Sequence, residues 1–218
     1  MNRPARVQIS SRKQPKQARS ASLVAAILEA AIQVLQRDGA ARFTTARVAE
    51  KAGVSVGSVY QYFPNKAAIL FRLQADEWQQ TTAMLVAILS DRAVPPLQRL
   101  RQLVLAFLRS ECAEATMRTA LADAAPLYRD APEAQQIKAS AEQTIQSYIE
   151  EVLPHARPQR RELVRDLVKT TLGAVGKEFS STSRSEEEIV QFADAMADML
   201  CALICQPEQW WGKAPPLP

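Results

Sequence analysis

Between Thr44 and Pro64 the residues that start and stop helices follow one another so closely that only short helices fit. Thr44 can cap a helix over Thr45–Ala52, because its hydroxyl can accept one of the backbone N–H groups left unpaired at a helix start. Gly53 ends that helix, Ser55 caps a second over about Val56–Tyr62, and Pro64 ends the second. Two short helices joined by a tight turn containing a glycine make a helix-turn-helix, predicted over roughly Thr44 to Tyr62. Its inward residues are Val48, Ala49, Ala52, Val54, Val59 and Phe63, with Ala49 and Gly53 small where the helices must approach.

The outward side of the second helix is Val56, Gly57, Ser58, Tyr60 and Gln61, which are small or hydrogen-bonding and include no carboxylate. Such a surface can enter a DNA major groove with its N-terminal residues at base edges. The free N–H groups of Ser55-capped Val56–Ser58 and the positive dipole end favour phosphate. Thr45, Tyr60, Tyr62 and Lys66 add phosphate donors. On spacing alone, an ordinary helical hairpin in a bundle fits the segment equally well.

Charge is unevenly spread. Residues 1–66 hold 11 Lys and Arg against 3 Asp and Glu, a net of +8, while residues 67–218 carry −4. A basic first third joined to an acidic remainder suggests a nucleic-acid-binding part and a different second part. Residues 1–18 contain Arg3, Arg6, Arg12, Lys13 and Lys16 without an acid or a periodic apolar pattern, and read as a basic flexible arm.

The rest of the chain is predicted all-α. From Ser20 apolar residues recur at three-to-four spacing until Asp38 and Gly39. Asn65 can cap a long helix from Lys66 to about Leu89. A helix from Leu97 with the stripe Leu100, Val104, Phe107 and Leu108, and a separate short piece at Met117–Ala125, come next. A helix over about Pro132–Val152 precedes two final ones, about Gln159–Ser180 and Glu186–Cys205, the last opened by a Ser185/Glu188 capping box. Both final helices are apolar over a wide arc, so each must be buried on two sides, and a second subunit is the natural cover. Leu167, Val175, Met196, Leu200 and Leu203 are the candidate contacts of that dimer. Four segments follow: an arm (1–18), a helix-turn-helix domain (19–66), a helical ligand-binding and dimerisation domain (67–206) and a loose Pro-rich tail (207–218) holding Trp210 and Trp211.

Several chemistries lack their residues. Cys112, Cys201 and Cys205 make no disulfide framework, and a reducing cytoplasm is the simplest compartment. Cys201 and Cys205 read as small buried hydrophobes, and the single histidine, His155, as a solvated loop residue, so no metal cluster is expected. No Ser/His/Asp set, paired acid cluster or Gly-rich phosphate loop supports a small helical enzyme, and no cofactor is expected. No apolar run approaches the roughly 18 residues of a membrane span, and the basic N-terminus is not a secretory signal.

Five blocks of the N-terminal region, in order, are Ile27-Leu28-Glu29-Ala30-Ala31; Phe43-Thr44-Thr45 after Gly39; Val48-Ala49 with Ala52-Gly53-Val54-Ser55; Gly57-Ser58-Val59-Tyr60-Gln61-Tyr62-Phe63; and Asn65-Lys66. Together they resemble the signature of tetracycline-repressor-like (TetR) regulators, over about Arg19–Phe71. The resemblance implies a protomer of about nine helices, a homodimer through the last two, double-stranded operator DNA as partner and a ligand cavity in the larger domain. It assigns DNA contact to Thr45, Ser55, Val56, Gly57, Ser58, Tyr60, Tyr62 and Lys66; Gln61 joins them as an outward residue of the same helix. Val56 departs from the polar reader found there in some members and suggests a thymine-methyl contact or none. Trp78, Met84, Phe107, Met117, Leu121, Tyr128 and Tyr148 lie on helices that can surround a small-molecule effector. The expected function is a repressor released from a palindromic operator by such an effector, with a protein-controlled regulator or an activator as alternatives.

Overall fold

The structure is a computed structural model that describes residue 9 and residues 18–128 and 132–207, with backbone alone at 18, 19, 132–138 and 140. Among these residues it contains eight α-helices, one short 3-10 turn and no strand. The helices are α1 (Ala18–Arg42), α2 (Thr45–Ala52), α3 (Val56–Tyr62), α4 (Lys66–Leu89), α5 (Pro96–Ala124), α6 (Pro132–Val152), α7 (Pro158–Phe179) and α8 (Glu186–Cys205). The turn is Ala125–Leu127. Backbone contacts divide the chain into two compact units, the first up to Gln80 with Thr116–Lys138, the second Thr81–Ala115 with everything from Ala139.

In the first unit, α1 buries Ile27, Ala30, Ala31, Val34 and Leu35, the three-to-four spacing that puts side chains on one helical face. Gly39 interrupts α1 at φ 70°, ψ 172°, a backbone that only glycine adopts cheaply, and the helical span resumes to Arg42. Phe43, Phe63, Ile69, Leu70 and Leu121 are fully buried in the same core. Burying each such side chain is worth roughly 1.5–3 kcal/mol, so the unit has a substantial core of its own. Ile9 is buried there too. This corrects the reading of 1–18 as a flexible arm at that one position; the remainder of the arm lies outside the described residues.

α5 corrects a second expectation. It is one continuous helix of 29 residues, not a helix from Leu97 and a separate piece at Met117–Ala125. No glycine or proline follows Pro96 until Pro126, so the polar stretch around Ser110 loses the apolar stripe without losing the helix. The last turns of α5 count among the first unit, so the unit that carries the helix-turn-helix reaches beyond the expected boundary at residue 66.

In the second unit, Leu100, Val104, Leu108, Ile149, Val164 and Leu200 form the centre of the core. Arg99 is buried with them. It donates to the Leu89 carbonyl and pairs with the Glu151 carboxylate, and it lies over the Tyr148 ring at 5.6 Å, so its charge is compensated where water is absent. The Tyr148 hydroxyl donates to the Pro96 carbonyl at 2.9 Å, and burial pushes this phenol above the ordinary range. α8 begins with the expected capping box: Ser185 N–H donates to Glu188 Oε2 at 2.7 Å and Glu188 N–H to Ser185 Oγ at 3.2 Å.

Candidate nucleic-acid interface

Local capping builds the helix-turn-helix. Thr44 Oγ1 accepts the Arg47 N–H at 3.3 Å, and Ser55 Oγ accepts the Ser58 N–H at 3.0 Å. Gly53 closes α2 at φ 67°, ψ 29°, and the Val54 N–H returns to the Ala49 carbonyl at 3.0 Å, so the chain reverses within three residues. Val48, Ala49, Val59 and Phe63 are buried behind this turn. Asn65 Oδ1 then caps α4 by accepting the Ala68 N–H at 2.9 Å.

These contacts leave one side of the motif open. Ser55, Val56, Gly57, Tyr60, Gln61 and Lys66 are exposed, and Thr45 and Ser58 are half-buried. The Ser55 and Ser58 hydroxyls are 2.8 Å apart, and Thr45 Oγ1 lies 3.2 Å from the Tyr60 hydroxyl. Hydroxyls that share hydrogen bonds in this way are held in fixed positions and retain capacity for a further partner. Tyr62 is the exception. It is only 7% exposed and packs in the core of the first unit, so its ring is not part of the open face. The expectation of Tyr62 as a phosphate donor fails, because a helix turns about 100° per residue and carries its ring to the side opposite Tyr60.

Gly57 is the second residue of the seven-residue α3, where glycine costs up to about 1 kcal/mol relative to alanine. A Cβ there would meet nothing closer than Ser55 Oγ at 3.7 Å, an ordinary contact, so the fold itself does not require a glycine. A backbone bared to solvent at that cost suits close approach of a partner. Arg42, Arg47 and Lys51 are exposed cations of the same unit that motif reading passed over; the charge count of residues 1–66 is the signal that finds them. Arg37 and Arg47 both reach the Asp38 carboxylate. Chiefly through its hydrogen bond with Arg37, that carboxyl is held below the usual range.

The candidate effector residues divide between the two cores. Trp78, Met117, Leu121 and Tyr128 belong to the first core or its edge, whereas Met84, Phe107 and Tyr148 belong to the second. A cleft of about 320 Å³ in the second unit is lined by Gln146, Ile149, Glu150, Pro158, Arg161, Glu162 and Arg165. Tyr148 alone of the candidates lines a described cleft, one of about 160 Å³ beside Glu151. The larger cleft is lined by arginines and glutamates rather than by the aromatics that sequence reading singled out.

The candidate dimer residues also divide. Leu167 is 39% exposed, but Met196 and Leu200 are buried in the protomer's own core, and Val175 and Leu203 are half-buried against it. The large apolar side chains left exposed on α7 and α8 are Leu163, Leu167 and Met199. Cys205 is exposed, not buried as read; Cys201 is buried, and burial raises its thiol. His155 is exposed. Among the described residues no group of three His, Cys, Asp or Glu is placed to hold a metal ion, and no helix is long and apolar enough to cross a membrane.

The open face of α3 is the geometry that family comparison decides. The profile of "Bacterial regulatory proteins, tetR family" matches residues 27–73, and that of "Tetracyclin repressor-like, C-terminal domain" matches residues 95–207, more than half of the chain. The chain belongs to the TetR family. Among curated protein sequences none matches it. Solved structures of TetR-type regulators share the fold. A regulator from Mesorhizobium loti is 19% identical, covering 86% of this chain and 98% of its own, with a TM-score of 0.67. The transcriptional regulator FadR of Bacillus subtilis, solved in complex with stearoyl-CoA, is 15% identical over 81% of this chain and 97% of its own, with a TM-score of 0.66. A ketosteroid transcriptional regulator of Mycobacterium tuberculosis is 18% identical over 89% of this chain and 97% of its own, with a TM-score of 0.60. As a TetR-family transcriptional regulator the chain is a DNA-binding protein with a helix-turn-helix, and neither its family nor its fold is that of an enzyme.

Proposed function

We propose that this TetR-family regulator is a homodimeric repressor that reads a palindromic operator and is released from it by a mostly apolar organic molecule. The observation that carries the DNA reading is the exposed, carboxylate-free face of α3 with a bare Gly57 in its first turn. Ser55, Val56, Gly57, Ser58 and Gln61 face base edges; Thr45, Tyr60 and Lys66 hold phosphates and fix the register of the helix in the groove.

Dimerisation is supported by Leu163, Leu167 and Met199, large apolar side chains left exposed on the last two helices. Gly173, in the middle of α7, is exposed, and a Cβ added there meets nothing within 4 Å. A mid-helix glycine that the protomer does not need lets a partner helix come close. An isologous pairing of α7 and α8 with their copies puts two reading helices on successive turns of DNA, about 34–36 Å apart or more widely spaced.

The effector class is supported by the fold neighbours, one holding stearoyl-CoA and another named for ketosteroids, and by apolar residues in both cores of this chain. Fluorescence anisotropy on a labelled duplex from upstream of the chain's own gene tests the reading, with stearoyl-CoA and a steroid as effector probes. Saturable binding that competitor DNA of random sequence does not abolish, weakened by one of the probes, is the expected result. Binding equal to that of random DNA removes the operator reading. Operator binding that neither probe alters removes the proposed effector class.

A further inference from the structure

The first unit holds a charged pair with a buried carboxylate and a half-buried guanidinium. Glu77 on α4 is 6% exposed, and its Oε1 meets the Arg118 guanidinium of α5 at 3.0 Å. Gln74, one turn earlier on α4, donates from Nε2 to Glu77 Oε2 at 2.8 Å, so both carboxylate oxygens are engaged. Tyr128, just past the 3-10 turn that ends α5, donates its hydroxyl to the Leu121 carbonyl at 3.0 Å and lies 3.5 Å from Gln74 Oε1. Its ring packs on Phe71 of α4 with centroids 5.6 Å apart. Burial, and then the Glu77 charge, raise the phenol well above its ordinary range, so it stays a neutral donor.

Buried ion pairs seldom add stability over well-packed apolar residues, since desolvating two charges costs about what their attraction returns. An apolar pair would hold α4 to α5 as firmly, but it would tolerate sliding of one helix along the other. The charged pair does not, because a shift of one turn would part the buried Glu77 carboxylate from the Arg118 guanidinium. What this arrangement adds over an apolar contact is therefore a fixed register. α4 begins at Lys66, three residues beyond the end cap of the reading helix, so the register of α4 governs where α3 stands.

We propose that Glu77, Gln74, Arg118 and Tyr128 are positioning residues that lock α4 against the end of α5 and so set the presentation of α3 to DNA. The proposal rests on the DNA-reading function proposed above.

The test uses the full chain and a duplex selected from a random pool by the unmutated protein. Operator affinity is measured for Arg118→Met, Glu77→Gln and the double variant Glu77→Met with Arg118→Met, each well below its melting midpoint. The double variant removes both charges, and its thermal stability is expected to match or exceed that of the unmutated chain. Its affinity is nevertheless expected to stay at least about tenfold weaker, roughly 1.4 kcal/mol, because register is no longer fixed. Recovery of affinity together with stability would mean that the pair only holds the unit together, and overturns the proposal. Should the double variant not fold, Glu77→Gln decides, since it keeps the shape and removes only the charge; affinity equal to the unmutated chain overturns the lock. Failure of the unmutated chain to select any duplex strikes the DNA-reading function instead, which separates the two outcomes.

Discussion

The Tyr60 hydroxyl stands 3.2 Å from Thr45 Oγ1, which ties the outer edge of α3 to the first turn of α2. Two candidate phosphate donors are thus held in one place by the two helices that the turn at Gly53 joins. Tyr60→Ala removes the donor and the tie, and is expected to weaken operator binding about tenfold or more while the circular dichroism of the fold is unchanged. Lys66→Ala should weaken binding to all sequences alike and lower the salt slope by about one contact. Unchanged affinity in both variants, read by anisotropy, would show that α3 is docked otherwise.

Gly57 gives a prediction in which stability and function move in opposite directions. Gly57→Ala is expected to raise thermal stability by up to about 1 kcal/mol, since helix propensity improves and Ser55 Oγ leaves room for the methyl. Operator affinity should fall, because the methyl occupies the place of the approaching DNA. A variant both more stable and equally tight would dissociate Gly57 from the interface.

The excess of positive charge on residues 1–66 makes operator affinity steeply dependent on salt. The log–log slope is expected near −0.9 for each phosphate neutralised. A titration between low and physiological salt measures it, and a flat response argues against backbone contact altogether.

On the last two helices neighbouring leucines should behave differently. Leu167→Glu with Met199→Glu places charges on exposed positions and is expected to give a folded monomer by light scattering. Leu200→Glu buries a charge in the protomer's own core, where Leu200 is 2% exposed, and is expected to unfold the chain. A dimer that survives the double exposed substitution would put the interface elsewhere.

Ile9 is buried in the first core although the residues around it read as a polar arm. Ile9→Ala is expected to lower the stability of the chain by about 2 kcal/mol, the scale of a large-to-small change in a core, read as a lower denaturant midpoint. A midpoint equal to that of the unmutated chain would show the contact to be worth nothing.

Hydrogen bonding within about four residues accounts for the parts of this molecule that are legible without its structure. Thr44, Ser55, Asn65 and Ser185 cap the helices they were expected to cap, and Gly53 makes the turn, because an unpaired N–H at a helix start is satisfied by a side chain a few positions away. The family likeness was legible for the same reason: its blocks are local and ordered. The tertiary structure decided which side of a helix meets which neighbour. On α7 and α8 apolar residues cover so wide an arc that hydropathy cannot tell the protomer's core from the face left outside it, and only packing turned Met196 and Leu200 inward and left Met199 out. Tyr62 went to the core, the effector candidates split between two cores, and Gln74 met Tyr128 54 positions away, because burial depends on distant partners that no local pattern records.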